Sequence, residues 1–237
     1  MSRTLFSRFL PLVLAWSTAP SLARADDLPL DEILKRARVV SEKKPSGTVC
    51  HLRVATQLSD KAGKVEHDEV REGTATLTGD DQEDDFVSVI RDGKPMGKEE
   101  LATERTKVKK QQKERKKDEV ELSPLAPKNA DAEKFELVGN QTLWGRPVYV
   151  IKVHADGDGG SLANGTLWID RETFVEVKGE LEPARMPPHA DWVKVQEQFA
   201  LDGHGVPIPS LLNIQGAGHM FFVHKQFRST LRWSDCH

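Results

Sequence analysis

The sequence predicts an α+β protein, mostly antiparallel β: an open or half-closed β-barrel wrapped around an N-terminal helix, with a second, charged helix. Three observations carry that prediction. One amphipathic helix stands near the front of the chain. Segments of alternating apolar and polar residues follow it almost to the end. A stretch rich in lysine and glutamate, with no apolar stripe, interrupts them.

The first 25 residues come before any fold. Arg3 and Arg8, the apolar run Phe9 to Trp16, and Ala23-Arg24-Ala25 ahead of Asp26 form a positive region, an apolar region and a small-x-small cleavage site. Residues 1–25 therefore read as a cleavable signal peptide, with an uncleaved anchor as the alternative. The run is shorter than the roughly 20 residues a spanning helix needs. No cysteine follows the cleavage site, so this type of signal provides no place for a lipid anchor. The expectation is a single domain over 26–237, periplasmic or secreted. The formal net charge is −3, and the leader holds arginines but no acid, so the remaining chain is more acidic still. That balance argues against a general nucleic-acid binder.

Residues 28–44 read as the helix. Leu30, Ile33, Leu34, Ala37 and Val40 share one face, Pro29 and Asp31-Glu32 suit the first turn, and Pro45 and Gly47 stop it. From Thr48 the period becomes two: Cys50, Leu52, Val54 and Leu58 alternate with polar residues. Asp60 to Gly63 is a turn, 65–78 returns antiparallel, and 86–91 is a short strand closing on the turn Asp92-Gly93. The charged segment 97–121 has Leu101 and Val108 as its main apolar residues, which fits a solvated helix or a disordered excursion. Strands then follow at 135–139, 148–154, 165–170, 174–182, 192–201, 208–214 and 219–233. The inward candidates on the last long strands are Val175, Val177 and Leu181; Val193, Val195, Phe199 and Leu201; and Phe221, Val223, Phe227 and Leu231. Their neighbours are mostly charged or amide residues, as on a sheet with one apolar and one wet face.

About nine strands at about 4.8 Å spacing span on the order of 43 Å. A helix of about 17 residues is only about 25 Å long, and it cannot cover that face flat. The sheet is expected to curl around the helix, with Gly216 and Gly218 allowing a bend or bulge. A cavity then has Leu52, Val54, Val175, Val177, Leu181, Val193, Val195, Phe199, Phe221, Val223 and Phe227 as its candidate lining.

Several segments carry a family resemblance. They are the leading helix, Phe135-Glu136-Leu137-Val138-Gly139, Gly145-Arg146-Pro147-Val148-Tyr149, Gly165-Thr166-Leu167-Trp168-Ile169-Asp170, and the closing Lys225-Gln226-Phe227 to Trp233-Ser234-Asp235. Together they resemble the outer-membrane lipoprotein-sorting proteins, the LolA/LolB-like superfamily. The resemblance implies an unclosed antiparallel barrel with helices as a lid, and a cavity for acyl chains of lipids or lipoproteins. It implies a carrier, or a signalling or scaffold module on the same fold that binds a protein partner. No residue here matches the carrier's cavity arginine; Arg53 and Arg71 are the arginines near the first strands, and Arg53 is out of phase with its apolar neighbours.

The chain offers little for catalysis: no Gly-x-Ser-x-Gly, no phosphate-cradling Gly-x-x-x-x-Gly-Lys and no His-Glu-x-x-His. We expect no enzyme, no cofactor and no metal. The eight histidines are scattered, and His219 and His224 are five apart, the wrong spacing to share a strand face. Asp156-Gly157-Asp158-Gly159-Gly160 faintly echoes a calcium loop, but Leu167 stands where the bidentate Glu belongs, so a hairpin tip is expected. The basic run over 105–117 suits either an anionic membrane surface or plain solvation. Trp144, Trp168, Trp192 and Trp233 are expected in the core or at strand edges. Cys50 and Cys236, the only cysteines, leave two readings open: a disulfide, or one small buried hydrophobe and one terminal thiol. A monomer is expected.

Overall fold

The computed structural model describes residues 28–115, 124–126, 129, 131–157, 162–220 and 223–237. The proposed signal peptide, the end of the charged segment, the glycine-rich tip at 158–161 and Phe221 lie outside the described residues. Helix α1 runs Leu30–Ser41, shorter at both ends than the expected 28–44 but containing the whole apolar face from Leu30 to Val40, with Ile33, Leu34 and Ala37 buried. Pro29 precedes it in an extended conformation, and the Pro29 carbonyl accepts the Ile33 N–H at 3.1 Å.

The strands are β1 Ser46–Asp60, β2 Val65–Thr78, β3 Asp81–Arg91 and β4 Lys94–Pro95, then β5 Glu133–Leu143, β6 Arg146–Ala155, β7 Ala163–Asp170, β8 Glu176–Pro183, β9 Ala190–Leu201, β10 Pro207–Met220 and β11 Val223–Ser234. They form one 11-stranded sheet in the order β4-β3-β2-β1-β11-β10-β9-β8-β7-β6-β5. Every paired neighbour is antiparallel. The sheet is open, because β4 and β5 stand at opposite edges. Its first long strand and its last lie side by side: Leu52 opposes Trp233 and Val54 opposes Leu231.

The strand boundaries differ from the expected ones in an instructive way. The run 214–219 belongs to β10, and the chain reverses after Met220. Gly216, Ala217 and Gly218 continue the ladder with β11, and the irregularity they introduce is a register shift against β9 between Ala217 and Gly218. At Gly216 an added Cβ would meet the Phe227 ring at 2.5 and 2.6 Å. The glycine is there so that an aromatic ring can lie across the strand.

One face of the sheet carries both helices. Beneath α1, Ile33, Leu34 and Ala37 pack on Tyr149, Ile151, Val153, Leu167, Ile169 and Leu181. A second cluster holds Cys50, Leu52, Ala75, Leu77, Phe86, Ile208 and Trp233 together with Val108. Val108 belongs to α2, Lys98–Arg115, so the charged segment is a docked helix. One buried valine holds little area, and the rest of the attachment is ionic. Arg71 reaches Glu69 at 2.6 Å and Glu104 of α2 at 3.0 Å; Arg91 reaches Glu69 at 2.6 Å and Glu104 at 3.7 Å. Arg105 pairs with Asp85, and Lys109 lies 3.6 Å from Glu83. A hydrophobic pattern cannot announce that kind of docking. Among the described residues no helix is long and apolar enough to cross a membrane.

Cys50 and Cys236 are joined in a disulfide across 186 residues. The backbone closes beside it, with Val49 and His237 exchanging N–H to carbonyl hydrogen bonds at 2.9 and 3.0 Å. Chain entropy alone assigns a loop of that size about 5 kcal/mol. Replacing both cysteines by serine is therefore expected to lower unfolding stability by about 2–5 kcal/mol, measured by urea titration under non-reducing conditions.

Burial by itself would raise the pKa of Glu69, but hydrogen bonds from Arg91 and Arg71 outweigh it and the net shift is downward. A carboxyl depressed on folding contributes stability above its unfolded pKa, and that stability is lost as pH falls through the folded value. Glu69→Gln should cost about 1–3 kcal/mol at pH 7. The gap to wild type should close in urea titrations taken below about pH 4.

Candidate functional site

Between the patches covered by α1 and α2, the helix-bearing face of β1, β11, β10 and β9 is apolar apart from Thr56, Ser229 and Glu197. Three rows of side chains cross it in register. One runs Val54, Leu231, Leu212 and Glu197; the next Thr56, Ser229, Ile214 and Val195; the third Leu58, Phe227, Gly216 and Val193. These side chains are half-buried, apart from exposed Thr56 and buried Gly216. The band is four strands wide, about 15 Å from first to last.

The candidate lining residues divide accordingly. Val54, Val193, Val195 and Phe227 lie in the band, and Phe199 extends it along β9, half-buried. Leu52 is in the core beneath α2 and Leu181 in the core beneath α1. Val175 and Val177 are buried with Val148 in a third cluster, backed by Val40, Trp168 and Phe199. Val223 opens β11, paired with Met220. Leu201, at the end of β9, is exposed.

On its β8 side the band ends in two carboxyls. A register shift between Trp168 and Ile169 places Glu176 opposite Ile169, on the helix-bearing face, where simple alternation with Val175 and Val177 would have turned it to water. Glu197 stands on the same face, opposite Gly179 and Leu212. A Cβ on Gly179 would come within 2.5 Å of Glu176 Oε1 and 2.9 Å of Glu197 Oε1, so the two carboxyls meet over the space that glycine leaves. Burial is the main reason the Glu176 pKa stands well above the usual carboxylate range, and the charge and hydrogen bond of Glu197 add to it. Two carboxyls can share that hydrogen bond only with a proton between them. Sequence reasoning missed the pair, although the parity of Val193, Val195, Glu197 and Phe199 already put Glu197 inward.

Polar depressions lie on the opposite, wet face. The larger, about 470 Å³, is lined among others by Asn164, Thr166, Glu180, Lys194, Gln196 and Asn213. A second, about 200 Å³, includes Gln57, Trp192, Gln226 and Arg228, and Gln215 lines both. Of the tryptophans, Trp233 is buried, Trp168 lies under the Lys178 ammonium at 4.3 Å, Trp192 is 39% exposed and Trp144 60% exposed. Trp144 occupies a hairpin turn at φ 51°, ahead of Gly145 at φ 80°, so it is presented outward where core or edge packing was expected. In the basic run, Arg105 and Lys109 turn toward sheet carboxylates, while Lys107 is exposed. Arg53 points to the wet face and pairs with Glu72 at 2.6 Å. His219 and His224 do share a face: they sit on opposite arms of a hairpin, directly across the β10–β11 ladder. Their spacing along the chain was the wrong criterion.

No family profile matches the chain, and no curated protein matches it. Solved structures do. The chain is similar to LolA superfamily structures. A LolA superfamily protein from Nitrosomonas europaea matches with a TM-score of 0.35 and 14% identity, over 89% of this chain and 93% of the other. An outer membrane lipoprotein-sorting protein domain from Vibrio parahaemolyticus matches with a TM-score of 0.39 and 10% identity, over 87% and 90%. The MucA/MucB complex of Pseudomonas aeruginosa contains a chain matched with a TM-score of 0.27 and 12% identity, over 86% and 93%. At TM-scores below 0.5 these likenesses are distant, and the functional reading rests on this chain's own geometry.

A carboxyl whose pKa is raised on folding favours the fold below its unfolded pKa, and that contribution is lost as pH rises through the folded value. Glu176→Gln keeps the shape without the ionisation. It should therefore stabilise the protein by about 1 kcal/mol or more at alkaline pH. The advantage should disappear at about pH 4, as read from urea midpoints across the pH range.

Proposed function

We propose that this chain is a periplasmic, non-enzymatic binding protein that holds an acyl chain of a lipid or lipoprotein against the apolar band. The observation that carries this reading is the band itself. Val54, Leu212 and Leu231 pack at the margin of the core beneath α2 and Val195 at the margin of the core beneath α1, while Leu58, Ile214, Phe227 and Val193 between them belong to neither core; Thr56 and Ser229 are the hydroxyls among them. Each methylene moved from water onto such a surface stabilises the complex by about 0.8 kcal/mol, so a tail lying across four strands is a substantial ligand. The disulfide suits an oxidising compartment. Exposed lysines on α2 offer a place for anionic headgroups near the band.

A second reading, recognition of a protein partner, draws on the wet-face depression lined by amides and charged groups. The two readings separate by which face a substitution must touch.

The purified protein is titrated with a fluorescent fatty acid and examined by native mass spectrometry. Saturable uptake at micromolar concentration is expected. Val195→Glu and Leu212→Gln should weaken it at least about tenfold, and Val87→Ser, at an exposed position on β3 outside the band, should leave it unchanged. Near-ultraviolet circular dichroism checks that the band variants remain folded. Absence of uptake by the wild type, or uptake indifferent to both band substitutions, rejects the acyl-chain reading.

A further inference from the structure

We propose that Asp191, His219 and His224 form a binding site for a divalent transition-metal ion of the zinc type, on the sheet face opposite the apolar band. The backbone builds the site. His219 near the end of β10 and His224 near the start of β11 are ladder partners, with ring centroids 5.6 Å apart. Asp191 reaches them through an irregularity in β9. Trp192 pairs with Ala217 and Ala190 with Gly218, so Asp191 is the extra residue. Bulges of that kind re-aim a side chain. Strict alternation would set Asp191 on the face opposite Trp192; here it meets the histidines.

The ligand atoms are close to a coordination geometry. His219 Nδ1 lies 2.6 Å from Asp191 Oδ1, His224 Nδ1 lies 3.8 Å from Asp191 Oδ2, and one ligand atom from each residue lies within 4.8 Å of the others. Around an ion with bonds of about 2.0–2.1 Å, tetrahedral ligands stand about 3.3 Å apart. To admit the ion the short His219–Asp191 contact opens by about 0.7 Å, and the widest separation, at most 4.8 Å, closes by up to about 1.5 Å. All three side chains are exposed, so rotation about their own bonds supplies that movement while the ladder stays fixed. The His219 backbone is further held by its amide N–H, which donates to the His189 carbonyl at 2.9 Å.

The donor set names the class of ion. Two imidazole nitrogens and one carboxylate oxygen favour zinc, copper or nickel over calcium or magnesium, which take oxygen ligands. Three protein ligands leave a fourth position for water. The bound ion would tie β9 to both arms of the β10–β11 hairpin, next to the point where the chain reverses.

The test is calorimetric titration of the disulfide-intact protein with Zn²⁺ in a non-chelating buffer. One ion per chain is expected. His219→Ala, His224→Ala and Asp191→Asn should each weaken binding at least about tenfold, while His154→Ala, on a different strand, should not. A visible spectrum of the Co²⁺-loaded protein supplies a second readout, with intense low-coordination bands that vanish in His224→Ala. Melting curves taken without metal verify that the variants fold as the wild type does. No saturable uptake at about 100 µM Zn²⁺, or uptake that His224→Ala leaves unchanged, overturns the assignment.

Discussion

Everything in this fold depends on the seam between β1 and β11. The sheet is built from two runs of antiparallel hairpins, one on each side, and each run carries its own helix on the same face. Only the pairing of the first long strand with the last makes them one sheet. The seam is long, from His51 opposite Ser234 to Asp60 opposite Lys225, and the Cys50–Cys236 bond clamps its end. The apolar band lies across this seam. Without it, Val54 and Leu231 would belong to separate bodies.

The two helices are held by different physics, and the difference explains why the middle of the face is open. Helix α1 buries an aliphatic stripe of its own, so it sits where the sheet offers isoleucine, leucine and tyrosine. Helix α2 contributes Val108 and otherwise trades glutamate and arginine with the outer strands. Charged tethers need partners at the polar rim, and these lie on β2 and β3. Helix α2 reaches only the ends of β11 and β10, at Trp233 and Ile208, and neither helix's core includes Phe227 or Ile214 farther along them. The carboxyl pair stands at the β8 border of that region, where burial and the neighbouring Glu197 push the Glu176 pKa well up.

Much of the architecture was legible in the sequence. The face of α1, the strand β2 over 65–78 and the alternation of β1 follow from period alone. The resemblance carried by residues 133–237 pointed to an open half-barrel, and the sheet is open. What escaped had non-local causes. Leu52, Leu181, Val175 and Val177 look the same in sequence as Val54 and Val195, because nothing in a strand records which stretch a helix will cover. Glu176 was misplaced by a bulge, and the histidine pair by judging spacing along the chain where the hairpin register decides. The docking of α2 was invisible to a search for apolar stripes, since its partners are the charged residues Arg71, Glu83, Asp85 and Arg91 on β2 and β3. Lining assignments for Phe221 and Val223 concern side chains outside those described.

The position of β11 also sets a timetable. If the chain emerges into its compartment amino end first, β1 and β2 can zip together early, yet the other flank of β1 waits for almost the entire polypeptide. Throughout that interval β1 exposes a bare row of amide and carbonyl groups, and Leu52 and Val54 lack half their neighbours. Contacts of such sequence separation form slowly and leave sticky intermediates. Loss of residues 223–237 would remove the keystone strand, and the amino-terminal hairpins would then be competent to pair with a stranger.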